Sequence, residues 1–476
     1  MNDLFQFDYF SILDIVFSLL CLVLILTVVN AKKKGYLEFD YYQYFTWNVF
    51  AKVFLSFVYA LYYIVIVDGG DTLAYWDGGI KMNNLFSKSA SMYFEELFND
   101  PDMIMNGSHF DLTTGYPPGW IYREKESWFI AKIMSIFSFF CFRSYLVATF
   151  ILAYISSIAS WKLFELAYSF RLNSNRYLAL ACFFVPSVSF WCSGITKDTI
   201  VLFSTIFIIY HAFQILSLDK QATYKNYLWI AFYTFLLLHI RDFMIATILV
   251  PLAFTYSARL ANKYRENKFA FYSIRLSSII VGILFFVFQG SSITNSEKLE
   301  EAAIIQKDFA SNASYEGARY DLGITDYSAT GMLSAFPVAV IAGLYRPFPW
   351  EALSITLILN GLEGALFLYL TFVFFRRNSL KKINLIRKHE FFIFCFFFIV
   401  LMAYMAGLTS GLIGVLVRFK APLIPFFVLL LTVDFEKKIN VDTEVKDETE
   451  DEIQVENEDK VEADEPPSLL EKKQGF

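Results

Sequence analysis

The sequence lacks the short motifs that identify several common enzyme classes. It has no P-loop, no GxSxG turn and no HExxH helix, so nucleotide hydrolysis and the common hydrolase chemistries have no support. Its five cysteines are scattered singly, without a CxxC pair or a metal-ligand cluster, and we interpret them as small core residues. It also has no internal repeat, which weakens the case for an inverted-repeat transporter.

The composition is that of a membrane protein. Of the 476 residues, 56% are hydrophobic and 19% are aromatic, more than a soluble domain of this length could hide from water. Apolar stretches of about 20 residues recur, each long enough to cross a hydrocarbon core of roughly 30 Å as a helix. Because backbone groups in lipid must be satisfied within the segment, and the alternating pattern of a barrel is missing, we predict an all-α integral membrane protein.

About eleven transmembrane helices are predicted, and the charges of the short loops orient them. The spans are 9–29, 44–67, 144–168, 177–193, 197–217, 226–240, 243–258, 272–290, 350–375, 390–409 and 413–433. The strongest basic clusters then share one side, which the positive-inside rule makes cytoplasmic. Two large loops, 68–143 and 291–349, face outward. For this alternation to hold, 127–141 must be an interfacial helix and 331–346 a re-entrant or interfacial segment.

The chain is divided into two parts of unlike composition. Residues 1–433 form the predicted polytopic membrane domain. Residues 434–476 have few apolar side chains and a large acidic excess, which is typical of a disordered tail. The predicted alternation of the spans puts this tail in the cytoplasm. A solubilising role explains such a tail; recruitment of a basic partner is the alternative.

Ionisable residues cluster near the outward ends of the predicted spans. Burying such a side chain at the centre of a transmembrane helix costs about 2.5 to 3.5 kcal/mol, so each one is expected to have an ion-pair partner or a function. They are Asp68, Asp71 and Asp77 after the second span, Lys197 and Asp198 before the fifth, Arg241 and Asp242 before the seventh, Arg346 before the ninth, and Arg418 and Lys420 in the last. Because they share one predicted side, a common outward-facing cavity could gather them.

The acidic stretch DGGDTLAYWDGG at 68–79 is the first candidate site. Asp68, Asp71 and Asp77 could supply a general base and a partner that tunes its pKa. Tyr75 and Trp76 would offer apolar ring faces to a sugar. The alternative is a loop whose Asp and Gly residues end a helix and turn the chain. The spacing is not a metal signature, and a divalent cation is the one cofactor that such carboxylates would suit.

The cations form the second candidate site. Several basic residues at the membrane surface would neutralise a lipid-linked pyrophosphate, with arginine binding phosphate in a bidentate manner. We assign substrate binding to Arg346, Arg418, Lys420, Arg241, Lys197 and Asp198, together with Tyr75 and Trp76. The alternatives are snorkelling side chains or ion pairs between sequence neighbours, Lys197 with Asp198 and Arg241 with Asp242. Asp14 and Glu363 lie inside spans and favour paired structural roles over proton coupling.

Four stretches resemble a known superfamily. GDTLAYWDGG, FVPSVSFWCSGITKD, LYRPFPWE and VRFKAPLIPFF look like motifs of GT-C membrane glycosyltransferases and related bacterial polysaccharide polymerases. The resemblance implies sugar transfer from a polyprenyl-phosphate or polyprenyl-pyrophosphate donor at the outer face of the bacterial inner membrane. It implies that Asp71 or Asp77 is the base and that Arg346, Arg418 and Lys420 bind the donor phosphate. One feature departs from the pattern, because the acidic loop follows the second span instead of the first.

The sequence therefore favours a membrane glycosyltransferase or polymerase that builds a cell-surface glycan. Its expected partners are membrane lipids, a lipid-linked sugar donor and a glycan or lipid acceptor, without nucleic acid. A transporter or flippase for a lipid-linked or anionic solute is the first alternative, with Glu363, Lys197 and Arg241 along its path. The second is a non-catalytic membrane scaffold that recruits a basic partner through the tail.

Overall fold

The computed structural model is helical throughout the residues that it describes, which are 11–35, 40–101, 109–170, 172–216, 223–277, 280, 318–323, 329–352, 354–377 and 389–433. Within these ranges, β structure is limited to an isolated antiparallel bridge between Arg319 and Leu412. In chain order the helices are α1 (Ile12–Gly35), α2 (Gln43–Leu61), α3 (Asp71–Lys88), α4 (Ala90–Phe98), α5 (Gly119–Arg123), α6 (Lys125–Phe140), α7 (Tyr145–Ser169), α8 (Asn175–Phe183), α9 (Pro186–Trp191), α10 (Lys197–Leu216), α11 (Tyr224–Ile240), α12 (Phe243–Lys263), α13 (Ala329–Ser334), α14 (Phe336–Tyr345), α15 (Ile355–Arg377), α16 (Glu390–Thr409), α17 (Ile413–Phe419) and α18 (Ile424–Leu431). The predicted tail, 434–476, lies outside the described residues.

Seven of the described helices are long and apolar enough to cross a membrane, which confirms the all-α membrane class. They are α1, α2 with its extension to Val67, α7, α10, α12, α15 and α16, and the bent pair α17–α18 would make an eighth. Of the other predicted spans, 177–193 is divided between α8 and α9, and 226–240 corresponds to the 17-residue α11. Most of 272–290 lies outside the described residues. The count of about eleven therefore stays a prediction.

Prolines interrupt two of the predicted spans. Pro186 lacks an N–H and pushes Val185 into an extended conformation (φ −73°, ψ 118°), so α8 ends and α9 starts with proline at its first turn. A second interruption lies at residues 420–423, which contain Pro422, and here α17 and α18 meet at an angle of 70°. Both breaks leave short helix ends near the candidate charged residues.

The glycine-rich acidic stretch is mostly helix, where the sequence had suggested turns. From Asp71 onward it forms α3, which packs along α6. A Cβ atom on Gly78 would lie 2.9 Å from the Ala131 Cβ, and one on Gly79 would lie 2.8 Å from the Ser135 nitrogen. These glycines therefore allow two helices to approach closely. The predicted surface helix at 127–141 corresponds to α6; its orientation to the bilayer stays a prediction.

The ten-residue helix α14 lies in the segment predicted as re-entrant. At 1.5 Å per residue it is about 15 Å long, too short to cross a membrane alone. It packs against α16 through pairs of small residues. A Cβ atom on Gly343 would lie 2.0 Å from the Ala403 oxygen, and one on Gly407 would lie 2.0 Å from the Ala339 oxygen. This contact depends on glycine at both positions, as in small-residue packing of membrane helices.

The close crossing of α14 and α16 should make folding stability sensitive to substitution of its glycines. We expect Gly407→Ala to destabilise the protein by about 1 to 3 kcal/mol, because the new methyl group would overlap the Ala339 oxygen and force the helices apart. Gly414→Ala is the matched control, since nothing lies within 4 Å of a Cβ atom there. Thermal unfolding of the purified protein in detergent measures both. Equal melting temperatures for the two variants would contradict the packing described here.

Candidate functional site

A tight backbone turn places Asp71 at the start of α3. The chain leaves α2 through a π-helical turn, Tyr62–Val67, and Asp68 follows in the left-handed conformation (φ 48°). Gly70 (φ 92°) packs against the ring of Tyr63, where a Cβ atom would lie only 2.8 Å from ring carbon Cε1. Glycine is required there for both reasons. The turn leaves the Asp71 carboxylate in the first turn of α3, where the helix dipole favours a negative charge.

Asp71 forms an ion pair with Arg418, 347 residues away in the sequence. The Arg418 Nη1 donates to the Asp71 Oδ2 over 3.5 Å, the outer limit of a hydrogen bond. The Asp71 side chain is 51% exposed and that of Arg418 is 25% exposed, so solvent and ligands can reach the pair. Tyr59 and Tyr63 of the second span also lie within electrostatic range of Arg418. The early acid and the late cation therefore meet in one place.

A second, buried ion pair lies next to the first. The Arg241 Nη2 is 2.6 Å from the Asp198 Oδ1, and both side chains are almost fully buried. The Arg241 guanidinium also covers the ring of Phe419 at 3.9 Å, which joins this pair to α17. Arg418 lies within electrostatic range of Asp198 as well. Arg241 therefore pairs with a residue of another element, whereas the alternative interpretation of the sequence had paired it with its neighbour Asp242.

Lys197 extends the charged group toward α6. Its Nζ lies 2.7 Å from the Glu124 Oε1 and 3.4 Å from the Glu126 Oε2, so it too pairs across elements and not with Asp198. Burial raises the pKa of Glu126. Burial acts on Glu124 in the same direction and is the largest single effect, but Lys197, Ser127 and Arg241 together outweigh it and lower the pKa of Glu124. Glu124 is therefore the more firmly ionised of the two.

These contacts define a single group of charges, which we call the Asp71 cluster. It contains four carboxylates and three cations, contributed by α3, the start of α6, α10, the α11–α12 junction and α17: Asp71, Glu124, Glu126, Asp198, Lys197, Arg241 and Arg418. The Arg241 Nη1 is buried and has no hydrogen-bond partner among the residues that the structure describes. A buried cationic donor of this kind suits an anionic ligand, because a buried unpaired donor carries a desolvation cost.

A neighbouring group surrounds Arg346. Its Nε lies 3.2 Å from the Glu351 Oε1, and its guanidinium lies 5.0 Å from the ring centre of Tyr320. The carbonyl of Arg346 accepts a 2.7 Å hydrogen bond from the Lys420 Nζ, which links this group to the residue two positions after Arg418. As with Arg241, the Arg346 Nη1 is buried without a hydrogen-bond partner in the described part of the chain. The predicted phosphate-binding residues thus form two connected groups.

The remaining predicted site residues form no part of the Asp71–Arg418 ion pair. Asp68 is exposed at the turn before α3. Asp77 is buried on another face of α3, with its Oδ1 3.5 Å from the Lys81 Nζ. Trp76 is 1% exposed and packs against Tyr145, so its ring faces the protein core and not a ligand. Tyr75 is also buried but lies within electrostatic range of Asp71 and Arg418.

The short helix α9 has a role that the sequence did not indicate. At its N-terminus, the Ser187 N–H and hydroxyl donate to the two oxygens of Glu363, at 3.0 and 2.5 Å. At its other end, the Lys52 Nζ donates to the carbonyls of Val188 and Cys192, at 3.2 and 3.4 Å. An acid at the N-terminus and a base at the C-terminus both match the helix dipole. Two buried charges from α2 and α15 therefore fix the segment that leads into Lys197 and Asp198.

Glu124, Glu126 and Glu351 are further members of the site that were not predicted from the sequence. The available signal was the charged sequence REKES at 123–127, directly before the apolar part of α6. Among the described residues, no group of three or more His, Cys, Asp or Glu side chains is arranged to hold a metal ion. No family model matches the sequence, and neither a curated protein nor a solved structure is significantly similar to it.

Asp77 generates a pH-dependent stability prediction. Burial raises its pKa to about 6, although Lys81 acts in the opposite direction. The folded state thus holds this proton more tightly than the unfolded state does. Protonation of Asp77 therefore stabilises the folded protein, and this stabilisation is lost as pH rises through the folded pKa. We expect the free energy of unfolding of Asp77→Asn, relative to that of the parent protein, to rise by about 2 kcal/mol from about pH 4.5 to about pH 7.5.

Asp111 provides the control for this experiment. Hydrogen bonds from Lys88, Thr113 and Thr114 lower the pKa of Asp111. The ionised carboxylate therefore makes nearly its full contribution to folding stability already at the acidic end of the same pH interval. The stability difference between Asp111→Asn and the parent should therefore stay nearly constant there. Unfolding in detergent at each pH measures both variants. A flat profile for Asp77→Asn would show that Asp77 is ionised in both states.

Proposed function

We propose that this protein is a membrane glycosyltransferase or polymerase that uses a polyprenyl-phosphate- or pyrophosphate-linked sugar to build a cell-surface glycan. The supporting observation is the contact between Asp71 and Arg418 at a partly exposed position. A base and a phosphate-binding cation within a few ångströms of each other are what a transfer between a sugar hydroxyl and a lipid-linked sugar requires. The resemblance of four stretches to GT-C enzymes and polysaccharide polymerases supports the same proposal.

In this proposal Asp71 is the general base. It accepts the proton of the acceptor hydroxyl, whose oxygen attacks the anomeric carbon while the bond to the donor phosphate breaks and the configuration inverts. Asp71 suits this role because its side chain is half exposed and lies at a helix start. Asp77 is buried against Lys81 and does not face Arg418, so we withdraw it as an alternative base.

Arg418, Arg241 and Arg346 then hold the leaving phosphate, with Lys420 in a supporting position. Negative charge develops on the phosphate as the sugar departs, and preorganised cations stabilise that charge most in a partly dehydrated site. The Nη1 atoms of Arg241 and Arg346 are buried without hydrogen-bond partners in the described residues, and they would donate to phosphate oxygens once a side-chain movement exposes them. The long Asp71–Arg418 contact would open as the donor binds, which frees the carboxylate to meet the acceptor.

Carboxylates outnumber cations in the Asp71 cluster by one, which restricts how a phosphate can bind. A diphosphate entering next to Glu124 and Glu126 would meet two carboxylates that share one lysine, whereas one entering between Arg418 and Arg346 would meet two carboxylates, Asp71 and Glu351, that each have an arginine of their own. The donor is therefore placed toward α17 and the Arg346 group, and the acceptor hydroxyl toward Asp71 and the start of α6. A neutral sugar hydroxyl suits the acidic side, because hydroxyls donate to carboxylates.

The proposed reaction requires a particular membrane and a particular orientation of the Asp71 cluster. The protein belongs in the bacterial inner membrane, with about eleven spans, the Asp71 cluster facing outward and the acidic tail in the cytoplasm. The donor is then presented in the outer leaflet together with the acceptor glycan or lipid. The transporter alternative drew on Glu363, Lys197 and Arg241, but Glu363 binds Ser187 and the other two are in ion pairs. These contacts favour fixed positions over a conducting path.

Substitutions of the two partners test the proposed reaction. We expect Asp71→Asn to lower glycan production about 100-fold or more, the usual effect of losing a general base. Arg418→Gln should have a similar effect, and Arg418→Lys a smaller one, because lysine keeps the charge but loses the bidentate geometry. Mass spectrometry of polyprenyl-linked sugars in cells should then show the donor accumulating while the glycan falls.

Asp77→Asn separates the two candidate bases within the same helix. It removes the same charge six residues away, and we expect it to retain glycan production at matched protein abundance in the membrane. If Asp71→Asn and both Arg418 variants kept normal glycan and donor levels, the proposed reaction would be wrong. Loss of activity in Asp77→Asn alone would move the base to Asp77 and remove the role of the Arg418 contact.

A further inference from the structure

The outward-facing loop carries six exposed phenylalanines that the proposed reaction does not use. They lie at the end of α3, on α4, and at the end of α6 and just beyond it: Phe86, Phe94, Phe98, Phe139, Phe140 and Phe142. Phe98 is 78% exposed and Phe140 is 76% exposed. We call this surface the aromatic face. An exposed apolar surface of this extent marks contact with a protein, a ligand or a membrane.

Four of the rings form a continuous surface. Phe86 lies 5.3 Å from Phe139 and 6.5 Å from Phe94, and Phe94 stacks on Phe98 at 6.3 Å. On α4 the exposed residues Phe94 and Phe98 are one turn apart, while Tyr93 and Glu96 are buried against the protein. Helix α4 is therefore amphipathic, with its aromatic side turned away from the rest of the protein.

The depth of this surface follows from its contacts with α1. Phe142 stacks on Phe17 at 4.5 Å, and Cys141 lies close to Cys21. The polar end of α1 is marked by Asp14, which binds Ser11 in its first turn. At 1.5 Å per residue, Phe17 and Cys21 lie about 5 and 10 Å along the helix from Asp14. If α1 crosses the membrane, the end of α6 lies below the level at which α1 enters the hydrocarbon.

The same surface continues onto the lipid-facing side of α1. Most of α1 is exposed, including Leu19 at 57% and Leu20 at 59%, as expected for a helix at the edge of a membrane protein. Basic side chains border the aromatic face. Arg143 donates to the Asn84 side chain over 2.8 Å, and Lys88 pairs with Asp111 at 2.5 Å. Aromatic rings next to arginine and lysine are typical of surfaces at the level of lipid headgroups.

We infer that the aromatic face inserts into the lipid leaflet on the side of the Asp71 cluster. Its rings contact acyl chains, while Arg143 and Lys88 reach lipid phosphates. The occupant is lipid and not a protein partner because the surface continues the exposed side of a membrane-spanning helix at a depth inside the bilayer. Such insertion would fix α3 and α6 along the membrane surface and hold Asp71 near the leaflet. The inference concerns membrane contact only and does not depend on the proposed reaction.

Spin labels on single engineered cysteines test this inference. The five native cysteines are buried, so a nitroxide should react selectively at Phe98→Cys or Phe140→Cys in the full-length protein. The protein is reconstituted at low protein-to-lipid ratio in vesicles of phosphatidylethanolamine and phosphatidylglycerol. We expect both labels to be about threefold or more as accessible to oxygen, which partitions into acyl chains, as to a water-soluble nickel chelate. Leu20→Cys is the lipid-facing reference, and the exposed Glu266→Cys is the water-facing reference.

Two results would overturn the inference. Labels at 98 and 140 that behave like the label at 266 would place the aromatic face in water. Labels shielded from both reagents would indicate a second copy of the chain or another protein on this surface. Because all four positions are exposed, the substitutions should leave folding intact, and circular dichroism together with equal recovery after reconstitution checks that assumption.

Discussion

The ion pair between Asp71 and Arg418 is the contact on which the architecture of the site depends. It joins the start of α3 to the bent pair α17–α18. The turn at Gly69 and Gly70 aims the acid, whereas the break after Phe419 ends α17 one residue beyond the arginine. Each helix interruption thus has a definite consequence, because it exposes a charged side chain at a helix end that a straight span would bury in lipid.

Charges in the Asp71 cluster are paired between elements and not along the chain. Adjacent Lys197 and Asp198 point to different partners, the first to α6 and the second to Arg241. In a low-dielectric interior each buried charge requires a partner, so pairing across elements fixes their relative positions as well. Helix α9 follows the same rule, since its two ends are held by Glu363 and Lys52. Removing either charge would leave polar groups of the other element unsatisfied.

The membrane class, the positions of the long apolar helices and the meeting of Asp71 with Arg418 were all within reach of the sequence. Hydrophobic length and loop charge report on those features directly. The breaks at Pro186 and Pro422 were not predicted, because an apolar run containing one proline also fits a kinked continuous helix. Glu124 and Glu126 were missed because their charged segment fits a solvated helix start equally well. Partners from distant elements can be assigned only once the packing is known.

Asp71 and Asp77 show how helix formation decides between residues that a motif treats as equivalent. In a loop, two carboxylates six residues apart could share a pocket. In a helix, six residues at 100° each place them about 120° apart around the axis, so one faces Arg418 while the other turns toward Lys81. The close packing of Gly78 and Gly79 on α6 enforces the helix. The same glycines that suggest a flexible acidic loop therefore separate Asp71 from Asp77. Of these two acids, only Asp71 belongs to the Asp71 cluster.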